Sequence, residues 1–120
     1  MKKQICFLSG LEIPQNKYSV EHYVPRSKVP EKISSVPYNI HPSIKVFNSV
    51  KADRFPCQWE YQKYHLLYET LQKWNLSQTN RHMIERAISR GLPVRDPCKY
   101  CVCAYHTEFC INEKLRQRHR

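Results

Sequence analysis

Six of the eight prolines fall between Pro14 and Pro56, and Gly10 and Gly91 are the only glycines. This distribution divides the 120 residues into two kinds of chain. Proline fixes φ and removes a backbone donor, which confines the first half to loops, turns and short strands. Lys17-Tyr18-Ser19-Val20 reads as a short strand entering Glu21-His22. Pro25 to Pro37 reads as an ordered loop, and Ser43 to Phe47 as a second strand on the strength of Ile44 and Phe47. Asn48 to Arg54 then begins a short helix that Pro56 stops.

The second half has a helical period. Between Cys57 and Trp74, apolar and aromatic residues recur as Tyr61, Tyr64, Leu67, Tyr68, Leu71 and Trp74, in steps of three and four. At that spacing the stripe is expected to be core. The alternative is a surface on which unpaired bases stack, with Lys63, Lys73, Arg81, Arg86 and Arg90 turned toward phosphates. Ser77 or Thr79 caps a second helix carrying Met83, Ile84, Ala87 and Ile88, which ends at Gly91. Residues 92–97 form a linker.

Lys and Arg total 20 against 10 Asp and Glu, a formal net charge of +10. So basic a chain favours a polyanionic partner whose affinity falls with salt. Residues 113–120 add a basic tail. No apolar run approaches the length of a bilayer span, and Ile5-Cys6-Phe7-Leu8 is too short for a signal segment. The expected location is therefore intracellular, cytoplasmic or nucleoid-associated.

Within the loop-rich half, a carboxylate stands beside a histidine in Glu21-His22, and Asn39, Asn48 and Lys51 follow. Metal-assisted phosphodiester hydrolysis needs this kind of set: hard oxygen ligands for a divalent cation and a neutral imidazole that takes a proton from water. His22 is the expected general base, and Arg26 is placed for substrate phosphate.

The order Cys6-Phe7-Leu8-Ser9-Gly10, Glu21-His22-Tyr23-Val24-Pro25, Asn39-Ile40 and Phe47-Asn48-Ser49-Val50-Lys51-Ala52-Asp53 resembles the HNH endonucleases, the family built on the ββα-metal motif. The resemblance covers about residues 6–54. It implies an α+β fold with a small ββα-metal unit in residues 1–56, followed in residues 57–120 by two helices and a Cys-rich clip, all in one compact domain. It implies DNA as substrate, a 5′ phosphate product, and Mg²⁺ or Mn²⁺ held by Glu21 and Asn48. Asn39 becomes a brace that holds His22 in register. Lys51 and Arg54, on the helical face of Asn48, become phosphate contacts. His41 is a lesser candidate for an extra ligand or acid.

Cysteine usage departs from the family pattern. A structural zinc there uses two Cys-x-x-Cys pairs, but the four positions here are Cys6, Ser9, Ile44 and Phe47. No zinc is expected at that place, and Cys6 is expected to be a buried small hydrophobe. Metal-ligand spacing returns at Cys98-x-x-Cys101, with Cys110 as a third ligand and Cys103 or His106 as the fourth for a structural Zn²⁺.

The primary expectation is a metal-dependent HNH-type endonuclease acting on DNA as a monomer, a homodimer or part of a larger nucleoprotein complex. The alternative is a non-catalytic HNH-like nucleic-acid-binding protein, such as an RNA-binding subunit of a ribonucleoprotein. A zinc-dependent adaptor built on the cysteine cluster is a third reading.

Overall fold

The computed structural model describes residues 3–100. These residues form an α+β fold with a two-stranded antiparallel sheet and four helices. Strand β1, Tyr18–His22, pairs with β2, Ile40–Ile44, in a register that sets Tyr18 against Ile44 and His22 against Ile40. Pro42 sits inside β2 opposite Val20. It is tolerated because both strands of a two-stranded sheet are edges.

The connection between the strands holds a single helical turn, α1 (Glu31–Ser34), and a 3₁₀ turn at Pro37–Asn39. The expected plain loop from Pro25 to Pro37 is thus partly helical. Pro30 and Pro37 stand at the starts of these two turns, where a missing N–H costs nothing.

Helix α2, Lys45–Lys51, follows β2 without a linker. Of the strand expected at Ser43 to Phe47, Ser43 and Ile44 belong to β2, whereas residues 45–47 are helical, so the helix starts at Lys45 and not at Asn48. A strand puts alternate residues on one face, but the buried set is Ile44, Val46, Phe47 and Val50, which has the helical period. The helix stops at Lys51, before Pro56, because Ala52 adopts φ 53° and its amide turns back to the Asn48 carbonyl. Arg54 Nη1 caps the same end by donating to the Val50 and Lys51 carbonyls at 3.1 and 3.2 Å. Pro56 instead opens the next helix.

Helices α3 (Pro56–Lys73) and α4 (Gln78–Arg90) follow. Ser77 is the α4 N-cap, its Oγ accepting from the Asn80 amide at 3.1 Å, and Gly91 closes the helix at φ 88°. The main core joins both halves of the chain. It gathers Cys6, Leu8, Tyr23, Ile44 and Phe47 with Trp59 and Leu67 of α3 and Met83, Ile84 and Ala87 of α4.

The tyrosine stripe does not line this core. Tyr61, Tyr64, Tyr68 and Trp74 are exposed, whereas Trp59, Lys63, Leu67 and Thr70 are buried. Of the expected stripe, Leu67 lies in the core and Leu71 packs against it, but the seam of α3 also runs through a lysine that the hydrophobic period does not mark. Lys63 is tolerated there because its Nζ reaches Glu60 Oε2 at 2.5 Å and the Pro93 carbonyl at 2.6 Å. Lys63 therefore does not face phosphate. Arg81 is also engaged, donating to the Leu71 carbonyl, and Lys73 pairs with Glu69.

Cys6 is fully buried, and its thiol accepts the Ile44 amide at 3.2 Å. With Phe47 and Ile44 in the same cluster, apolar packing occupies the place between the two loops. None of the described helices is long and apolar enough to cross a membrane.

Candidate active site

The end of β1, the turn after it and the exit of α2 enclose one pocket, lined by Glu21, His22, Arg26 and Asn48 among others. Adjacent residues of an extended strand face opposite ways. Glu21 and His22 share a pocket because β1 ends at His22. Asn39 pins the turn that follows. Its Oδ1 accepts the Val24 amide at 2.7 Å, and its Nδ2 donates to the carbonyls of Val24 at 3.1 Å and Ser34 at 2.8 Å. Asn39 is itself 1% exposed, so these are buried bonds that define the backbone just beyond His22.

Asn48 ties α2 to β1 through Nδ2, which donates to Ser19 Oγ at 3.3 Å and the Val20 carbonyl at 3.2 Å. Its amide oxygen is left as the group able to accept or ligate. Glu21 is 1% exposed and Lys51 is fully buried. Glu21 Oε1 lies 2.9 Å from Lys51 Nζ, close enough for an ion pair but poorly aligned for a hydrogen bond. Glu21 Oε2 is also buried and has no hydrogen-bond partner among the described residues.

Burial raises the Glu21 pKa above the usual carboxylate range, and Lys51 opposes that rise. Burial lowers the Lys51 pKa, against the pull of Glu21. The His22 pKa is lowered by partial burial first, then by the positive charges of Arg26 and Lys51. A lowered value keeps the imidazole neutral, and able to take a proton, through the neutral pH range.

An Arg26→Ala variant removes one of those charges. The His22 pKa then rises, and the acid limb of any rate profile that depends on neutral His22 moves to higher pH. A pH–rate comparison of the two proteins checks this; an unmoved limb would mean that another group titrates.

Two expected phosphate contacts are placed otherwise. Lys51 turns inward because the Glu21 carboxylate is its nearest partner and both lie in the core. Arg54 is committed to the end of α2. Arg26 remains exposed at the pocket rim. Asp53 pairs at the surface with Lys28 at 3.5 Å. His41 does not line the pocket, although it is the cross-strand partner of Glu21; its ring stacks on Phe7 at 3.7 Å between centroids. Arg95 covers the same Phe7 ring.

One network escaped the sequence reading. Tyr23, next to His22, donates from its hydroxyl to Glu60 Oε1 at 2.6 Å, and Glu60 in turn holds Lys63. The Glu60/Lys63 spacing of three on a helix was the readable signal.

Glu21 and Asn48 both line the pocket, and their carboxylate and amide oxygens are hard donors of the kind that suits Mg²⁺ or Mn²⁺ with water and phosphate completing the shell. No group of three or more His, Cys, Asp or Glu side chains able to hold a metal is present among the described residues. Cys98 is exposed in a 3₁₀ turn at Pro97–Lys99. The other expected zinc ligands, Cys101, Cys103, His106 and Cys110, lie outside the described residues, as does the basic tail.

Comparison with known proteins returns no family model, no curated protein and no solved structure that matches this chain.

Proposed function

We propose that the chain is a metal-dependent HNH-type endonuclease that hydrolyses phosphodiester bonds in DNA, with β1, β2 and α2 as its ββα-metal unit. The observation that carries this reading is the convergence of Glu21, His22 and Asn48 on one pocket, with a buried carboxylate oxygen left unpartnered. Glu21 and Asn48 would hold the divalent cation. When bound, it supplies charge stabilisation to the phosphoryl and leaving oxygens.

The chain's own residues do the rest. Neutral His22 accepts a proton from the attacking water. Asn39 fixes the turn that carries His22, and Asn48 fixes α2 against β1. Arg26 at the rim meets the phosphate backbone, and the net charge of +10 supplies affinity that is insensitive to sequence. Lys51 is reassigned from substrate contact to partner of Glu21.

The test is nicking of supercoiled plasmid by the purified protein. Conversion to open circles in Mg²⁺ or Mn²⁺, abolished by EDTA, is expected. One specific observation favours the second reading, a non-catalytic nucleic-acid-binding protein: Lys51 Nζ already stands against Glu21 Oε1, at 2.9 Å. Salt-sensitive DNA or RNA binding without cleavage in any metal would select that reading.

A further inference from the structure

Against the Glu21 of the pocket lies a buried cation, Lys51, which does not line the pocket and which the proposed chemistry does not use. Lys51 Nζ and Glu21 Oε1 are 2.9 Å apart, and their side chains are 0% and 1% exposed. The contact is off the direction of a good hydrogen bond, and the other Glu21 oxygen is buried with no partner among the described residues. A buried carboxylate with one oxygen satisfied by charge and the other unsatisfied is half of a bridging site.

We infer that Lys51 is a resident counter-ion that tunes how tightly the Glu21–Asn48 site holds a divalent cation. This inference rests on the metal-dependent reading above. Lys51 holds the Glu21 carboxylate from its Oε1 side. Glu21 would hold a divalent cation through Oε2, unpartnered among the described residues, with the lysine remaining at Oε1. Because ammonium and metal then share one carboxylate, they repel each other across it, in a setting where water screens little. The consequence is a weak, readily reversible metal site.

The geometry makes two substitutions act in opposite directions. Lys51→Met removes the repelling charge and keeps an apolar stem of similar length in the core. Lys51→Arg keeps the charge but offers a planar fork able to bond both carboxylate oxygens, which closes Oε2 to metal.

The measurement is Mn²⁺ binding by electron paramagnetic resonance on the whole protein without DNA. Lys51→Met is expected to bind Mn²⁺ about tenfold more tightly or better, and Lys51→Arg is expected to bind it several-fold more weakly. Glu21→Gln is expected to lose the site. If Lys51→Met does not fold, Lys51→Arg decides, since it preserves the buried charge pair.

Wild-type binding that Glu21→Gln abolishes, but that neither folded Lys51 variant alters in the expected sense, would overturn the counter-ion role and leave the metal site standing. Absence of Mn²⁺ binding in the wild type, or binding indifferent to Glu21→Gln, would overturn the metal-site reading itself.

Discussion

His22→Ala protein is expected to cut DNA about 10² to 10⁴ times more slowly than wild type, the range ordinarily carried by a positioned general base. That loss corresponds to about 3–5 kcal/mol of barrier. DNA affinity should stay within a small factor of wild type. The imidazole is partly exposed at the end of β1, makes no side-chain hydrogen bond among the described residues and, in the proposed mechanism, acts on water rather than on the phosphate. Binding instead follows the net charge of +10 and the rim arginine. Single-turnover cleavage beside a filter-binding titration separates the two effects. Equal loss of binding and cleavage would make His22 a substrate contact, and loss of the folded state would make it structural.

Asn39→Ala is expected to be the most damaging single change to the frame of the site. The side chain makes three buried hydrogen bonds, to the amide and carbonyl of Val24 and the carbonyl of Ser34. Each such bond contributes about 1 kcal/mol, and buried partners left unpaired cost more. A loss of about 3 kcal/mol is therefore expected, seen as a lower urea midpoint with an unchanged slope. The turn after His22 would loosen at the same time, so cleavage should fall even where the variant is folded. A change below about 0.5 kcal/mol, the usual scale of surface substitutions, would show that other contacts hold this turn.

The residues of the site were more legible than the elements carrying them. Glu21-His22 stood out as a carboxylate beside an imidazole, and the resemblance to HNH endonucleases is what joined Asn48 to them as a second ligand. Asn39 could be placed as a brace because an amide both donates and accepts. What could not be read was which way a charged side chain turns. Lys51 and Arg54 looked like surface cations three and six residues beyond Asn48. Their partners, a carboxylate on another strand and the carbonyls of α2's own last turn, exist only after folding.

The same cause misplaced the tyrosines of α3. A buried lysine satisfied by Glu60 and a distant carbonyl breaks the apolar period, and no local pattern announces it. Element boundaries failed for a different reason. Ile44 closes β2 as expected, but Phe47, also taken as a strand residue, lies in α2, which begins at Lys45.

The most direct measurement is chemical rescue of a His22→Gly variant. The cavity left by the imidazole is open to the pocket, so free imidazole added in Mg²⁺ buffer can take its place as proton acceptor. The predicted result is a nearly inactive variant whose plasmid nicking returns in proportion to added imidazole, with no such effect on wild type. A variant that nicks as fast as wild type, or wild-type protein that leaves plasmid intact in every divalent metal, would contradict a hydrolytic site at Glu21, His22 and Asn48.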